Sequence, residues 1–342
     1  MKRILTLILT ALAISACSNN NNKSGGQGSA DVFYNPEMFS IVTPTGAPAL
    51  AFYKYASYKN FETNSVPTNI VAMMSKGEKD VVVLPTNAGV QAIVNAKANY
   101  KIAATITFGN FYIVSMNNDD NQTMDANDTI LLFQKNNVPD KIFHYIYGDG
   151  LDSALHYVSA VSDAASAIIG GKFTDPDLGV ELVPNYVMIA EPALTNVVSK
   201  KGDAISVYTN IQEEYKQKSN NAELFQASVF VKNFLEYEKV RLFLNDLEKD
   251  INSAIADPSK MSAGMSKIED AATVYGVAPQ MAENVLKKNN GMGLGFKLAR
   301  DNKEAISTFL SIFNMTNIVP KANKTNLLEI NFFINILNIE NT

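Results

Sequence analysis

The chain has 342 residues, a formal charge of −5, one cysteine, two histidines and no tryptophan. Arginine occurs only at Arg3, Arg241 and Arg300, which excludes a basic nucleic-acid surface and a ligand gripped by an arginine clamp. A lone Cys excludes a disulfide framework, and the length gives room for two lobes with cores of their own.

Lys2 and Arg3 precede an apolar run over residues 4–14, broken only by Thr6 and Thr10. A basic start, a short apolar stretch and small residues before a cut site predict an export signal over 1–16, too short to span a membrane as a mature helix. Ile14-Ser15-Ala16-Cys17 resembles the lipobox of bacterial lipoproteins, in which the Cys carries lipid and becomes the first residue. Residues 17–37 are then a lipidated Cys17 and a Ser/Asn/Gly-rich flexible tether. The expected location is the outer face of a cell membrane, held by the lipid.

Residues 39–43 read as a first strand. Pro44-Thr45-Gly46-Ala47-Pro48 turns it into a helix carrying Leu50 and Tyr53, with Pro48 suited to the first helical turn. Thr68 is expected to cap the next helix, which ends at Gly77. Asp80 to Gly89 is the central stretch. Four apolar residues run into Pro85-Thr86-Asn87, and a helix with Val90, Ile93 and Val94 follows. Thr86 or Asn87 caps that helix in this reading. Its free backbone amides would then lie at the carboxyl end of a sheet, where open α/β sheets hold ligands. Residues 102–116 are β-prone, interrupted by Phe108-Gly109-Asn110-Phe111, and the polar run 117–121 marks a boundary.

The second part repeats the pattern. A strand over 129–133 reaches the turn Gln134 to Pro139, and a helix with Ile142, Phe143 and Ile146 stops at Gly148. A strand over 154–160 leads to Ser162 as a cap and a helix closed by Gly170-Gly171. The strand 186–190 enters Glu191-Pro192 and another helix. Strands over 205–208 and 225–231 follow. Helices are then expected over 237–256, 266–275, 279–288 and 302–313, returning over the first lobe, with an unplaced tail after Pro320. The expected lobes are 38–117 with 206–342, and 118–205.

Thr43-Pro44-Thr45-Gly46-Ala47-Pro48, Leu84-Pro85-Thr86-Asn87, Thr107-Phe108-Gly109-Asn110 and Ala190-Glu191-Pro192-Ala193 together resemble solute-binding lipoproteins of ABC importers. The nearest branch is the group similar to sulfonate/taurine, nitrate and thiamine-precursor binding proteins, over about residues 38–315. The resemblance implies an α/β, two-lobed periplasmic-binding-protein-like fold of type 2. It implies a ligand cleft between the lobes, and docking onto a permease driven by an ATPase. It carries over Thr45, Gly46, Ala47, Thr86, Asn87, Phe108, Asn110, Phe111, Asn137 and Glu191 as ligand-binding positions. The turn after Phe133 departs from the family's usual glycines.

An anion would sit on the amides near Thr45 and Thr86. A flat heteroaromatic would stack on Phe108, Phe111 or Tyr112 and give an N–H to Glu191. The acidic second jaw favours the latter kind of molecule, and the expected ligand is a thiamine-precursor-like heteroaromatic or a sulfonate. Glu191 also reads as a helix cap beside Pro192. His144 and His156 have no metal-ligand spacing and no Ser-His-Asp order around them, so they read as structural. No catalytic residue, metal or cofactor is expected, and the expected state is a monomer. Two other classes remain: an enzyme on the same fold, of pyrimidine or menaquinone biosynthesis type, and a surface lipoprotein without a transport role.

Overall fold

The computed structural model describes residues 35–117 and 123–315. The expected signal peptide, Cys17, most of the tether, most of the polar break and the tail after Pro320 lie outside the described residues. The strands are β1 (Ile41–Pro44), β2 (Phe61–Asn64), β3 (Val81–Pro85), β4 (Tyr100–Thr107), β5 (Phe111–Ser115), β6 (Ile130–Phe133) and β7 (Leu155–Val158). They continue with β8 (Phe173–Thr174), β9 (Glu181–Leu182), β10 (Tyr186–Ala190), β11 (Ser206–Asn210), β12 (Ala227–Lys232) and β13 (Leu294–Leu298). The helices of the first half are α1 (Ala47–Leu50), α2 (Pro67–Lys76), α3 (Thr86–Asn95), α4 (Val138–Tyr147), α5 (Val161–Gly170) and α6 (Ala193–Lys201). Those of the second half are α7 (Ile211–Lys218), α8 (Tyr237–Ala256), α9 (Pro258–Met265), α10 (Ala271–Tyr275), α11 (Pro279–Lys287) and α12 (Lys303–Ser311).

Two sheets organise these elements. The first runs β13-β4-β12-β3-β1-β2 and the second β11-β5-β10-β6-β7. In the first, β3 is parallel to β1 and antiparallel to β12, which also pairs with β4. β3 is buried on both faces, which is why it reads as a continuous apolar run. Val81 and Val83 join a core with Phe243 and Leu247 of α8, while Val82 and Leu84 join Val90 of α3 on the other face. Gly89 lets α3 lie close: a Cβ there would stand 2.2 Å from the Phe230 ring. In the second sheet all five residues of β10 are buried between antiparallel β5 and parallel β6.

The second sheet is wider than the expected 118–205. Phe111–Ser115 and Ser206–Asn210 both belong to it. The stretch 102–116 is therefore two strands in two sheets, divided at Gly109, whose φ of +95° lies on the positive side that favours glycine. Two segments cross between the sheets: 108–110, and the segment containing α7 that ends at Gln226.

Three expected caps are corrected. The first helical residue of α2 is Pro67, so Thr68 sits inside the helix. Ser162 lies within α5, where the Asp163 carboxylate accepts from the Ala160 amide at 3.0 Å. Pro85 holds the cap position of α3, and Thr86 is its first residue. In α2 the proline takes the first position because it has no N–H to satisfy there. The strand β2, the helices α7 and α9, and β13 were not among the expected elements.

The β8–β9 hairpin of the second lobe is tied down by Asp175. Its Oδ1 accepts from the amides of Asp177 and Leu178, both at 2.8 Å, and its Oδ2 pairs with His156 Nδ1 at 2.6 Å. Burial raises this carboxyl, but the His156 bond and the two amides outweigh it and hold it below its ordinary value. A depressed carboxylate stabilises the fold above its unfolded pKa, and that contribution is lost as pH falls through the folded value. Hydrogen-exchange protection of the Asp177 and Leu178 amides is therefore expected to fall once pH drops below about 4. Unchanged protection there would remove Asp175 as the anchor.

Candidate functional site

The carboxyl ends of β3 and β4 meet the start of β12 at one end of the first sheet. Here Thr86 N–H donates to the Gln226 carbonyl at 2.9 Å, and Gln226 N–H donates to the Thr107 carbonyl at 3.0 Å. The Thr86 hydroxyl joins Ser228, which joins Thr105, each at 2.8 Å. Thr86 is fully buried, and its amide and hydroxyl both have partners inside the protein.

The turn at Thr45 is satisfied in the same way. The Gly46 amide donates to the Tyr275 carbonyl at 2.7 Å and the Thr45 amide to the Asn64 carbonyl at 3.4 Å. Ala47 is buried. The free amides expected at Thr45, Gly46 and Thr86 are thus occupied, by carbonyls that local sequence does not reveal. An anion resting on them would have to displace backbone bonds.

Asn110 links the two jaws. Its side-chain N–H donates to the Glu191 carbonyl at 2.8 Å, and its side-chain oxygen accepts from Gln226 at 3.3 Å. The Glu191 amide in turn donates to the Asn110 carbonyl at 3.0 Å. A continuous path therefore runs from Thr86 through Gln226 and Asn110 to Glu191. Gln226 was not a candidate in the sequence, because nothing nearby marks it.

Glu191 is 7% exposed and precedes Pro192 through a cis bond. Its carboxylate accepts from the Thr195 amide at 2.9 Å and the Thr195 hydroxyl at 2.8 Å, which caps α6. Burial pushes its carboxyl above the usual range, against the Thr195 bonds and the Lys288 charge, which pull it down. The loop before β13 comes close, since a Cβ on Gly291 would lie 3.4 Å from Glu191 Cγ. Burial, then the charges of Glu191 and Glu213, push the Tyr112 hydroxyl up to about 12.

Three oxygens of this region are buried without a hydrogen-bond partner: Asn87 Oδ1, Thr107 Oγ1 and Gln226 Oε1. Buried oxygens of this kind are costly unless something donates to them.

Of the aromatic candidates, Tyr112 lies near Glu191, whereas the rings of Phe108 and Phe111 pack against other side chains. Phe111 is 5% exposed and packs its ring on Phe133 at 6.0 Å, within the core. The Phe108 ring lies against Phe225 at 5.3 Å, with Lys297 at 5.9 Å from its centre. Asn137 is exposed at the start of α4, and its backbone bonds stay local, to Gln134 and Lys141. His156 is paired as a structural residue, whereas His144 lies beside Asp149 and Asp152, a cluster the spacing did not reveal.

No protein-family model matches the chain, and no curated protein matches it. Solved structures do. An ABC transporter structure from Parabacteroides distasonis is similar over 82% of this chain and 96% of its own, at 17% identity and a TM-score of 0.61. The periplasmic aliphatic sulphonate binding protein of Escherichia coli is similar over 84% of this chain and 90% of its own, at 12% identity and a TM-score of 0.56. The ligand binding component of an ABC-type import system from Staphylococcus aureus is similar over 81% and 92%, at 11% identity and a TM-score of 0.52. The chain has the α/β periplasmic-binding-protein fold that the resemblance implies. The proteins that share it here are transport components. Among the described residues no helix is long and apolar enough to cross a membrane.

Proposed function

We propose that this chain is an extracytoplasmic solute-binding protein, anchored through lipid on Cys17. It captures a small organic molecule between its lobes and delivers it to an ABC permease and its ATPase. The observation that carries this reading is the buried path from Thr86 through Gln226 and Asn110 to Glu191, which joins the two crossing segments at the base of the lobes. In this reading Asn87, Asn110 and Glu191, together with Gln226, form the ligand site.

The chemistry favours a ligand that donates hydrogen bonds. Asn87 and Gln226 offer buried oxygens without partners, and Glu191 offers carboxylate oxygens that can accept further bonds. An amine or amino-heteroaromatic fits that set. A sulfonate is the second reading, supported by likeness to the sulphonate binding protein. It is disfavoured by the occupied amides at Thr45, Gly46 and Thr86.

A melting-temperature screen of the full-length chain in detergent separates the two. An amine or amino-heteroaromatic at a hundredfold excess over its Kd is expected to add about 2.7 kcal/mol of stability. Glu191→Gln is expected to remove most of the shift. Stabilisation by taurine-like sulfonates alone would overturn the donor-ligand reading.

A further inference from the structure

We propose that His144, Asp149 and Asp152 form a binding site for a divalent transition metal on the second lobe, apart from the cleft. His144 stands in the last turn of α4, and both aspartates belong to the 3-10 helix Asp149–Ala154 that follows. One ligand atom from each of the three lies within 4.8 Å of the others. Two of the three residues are exposed, and the aspartates can close the remaining distance by side-chain rotation.

The orientation of His144 carries the inference. Its Nδ1 lies 2.9 Å from the Asp140 carbonyl oxygen and 3.1 Å from the Asp140 carboxylate. A carbonyl can only accept, so Nδ1 bears the proton. Asp140 is itself 3% exposed and held by the Tyr157 hydroxyl at 2.8 Å and the Asn136 amide at 2.7 Å. A buried carboxylate gripping one ring nitrogen is the arrangement that aims the other nitrogen at a metal. The other nitrogen, Nε2, points at Asp152 Oδ1 from 3.1 Å.

In a neutral imidazole, Nε2 and the carboxylate oxygen would then face each other lone pair to lone pair. A positive centre between them resolves this: either a second proton on the ring or a metal ion. Asp149 favours the metal, because it places a second carboxylate on the same spot and pairs with no cation among the described residues. The helix end helps, since the carbonyl end of α4 favours positive charge. One imidazole with two carboxylates is a mixed donor set, suited to zinc and its first-row neighbours.

The site opens on a cavity of about 520 Å³ lined also by Lys135, Lys141 and Tyr157. Lys135 is drawn away towards Asp177 at 3.6 Å and lies over the Tyr157 ring at 4.9 Å. The cavity therefore leaves room for water or another ligand on the open side of the ion, as a site with three protein ligands requires.

The test uses the full-length chain in detergent, stripped with chelator and titrated with Zn²⁺ by calorimetry and with Co²⁺ by visible absorption. One equivalent of Zn²⁺ is expected to bind and to displace Co²⁺. His144→Ala, Asp149→Asn and Asp152→Asn are each expected to weaken binding at least about tenfold, and Asp140→Asn by about 10–100-fold through the histidine. Asp203→Asn, on an exposed turn elsewhere, leaves it unchanged. Asp149 is exposed, so its variant keeps the fold and a circular dichroism spectrum checks this. Absence of stoichiometric binding, or binding that survives both Asp149→Asn and Asp152→Asn, overturns the site.

Discussion

Gly293→Ala is expected to be among the most damaging single substitutions in the molecule. A Cβ at this position would stand 1.9 Å from the Gly109 carbonyl oxygen, and Gly293 has φ +62°. Both sides of the contact are backbone, so no side chain can turn aside. The Gly293 carbonyl also accepts from the Phe108 amide at 2.7 Å, which ties the loop before β13 to the first crossing segment. Overpacking of this kind costs about 3 kcal/mol or more, and the left-handed backbone adds roughly 1–2 for any residue with a Cβ. The melting temperature should fall by roughly 10 °C or more. Gly291→Ala is the control: its nearest contact is Val285 Cγ1 at 3.1 Å, the end of a side chain. Equal melting of the two variants would show that the loop does not clamp the crossing segment.

Asn110→Ala should have the second large effect. The substitution leaves the Gln226 amide and the Glu191 carbonyl without their side-chain partner, in a place where Asn110 is 8% exposed. Unpaired buried groups cost about 1–3 kcal/mol each, so a loss of roughly 2–6 kcal/mol is expected in urea denaturation. The backbone bond from the Glu191 amide to the Asn110 carbonyl survives the change. A double-mutant cycle with Gln226→Ala should show coupling of about 0.5–3 kcal/mol. Additivity would mean that the two side chains stabilise their lobes separately.

Much of the fold was legible because its periodicities are strong. The run Val81 to Leu84 is apolar at every position and is buried on both faces. The helix expected over 237–256 has those bounds in the structure, since its apolar residues keep one face towards the first sheet. β2 escaped notice because Phe61 is its one large apolar residue. β13 escaped because Gly295 weakens its strand signal, yet that glycine gives the Phe108 ring room.

The candidate site was legible only in outline. The turn at Thr86 and the strand end at Glu191 follow from local pattern. Which of their polar groups have partners does not, because Tyr275, Gln226 and Ser228 are distant in sequence. Phe111 followed the alternation of its strand into the core rather than towards a ligand. His144, Asp149 and Asp152 are near neighbours in the chain, but a helix end and a 3-10 turn bring them together without a recognisable spacing.

The placing of β12 bears on how the molecule is made. This strand lies between β3 and β4 and pairs with both, so the two are joined in one sheet only when it arrives, and it is synthesised after every strand of the second sheet. On the ribosome the second sheet can therefore be completed while the first still lacks its centre. The first sheet must wait with the apolar edges of β3 and β4 uncovered, and such waiting edges are where chaperones and aggregation compete for a nascent chain.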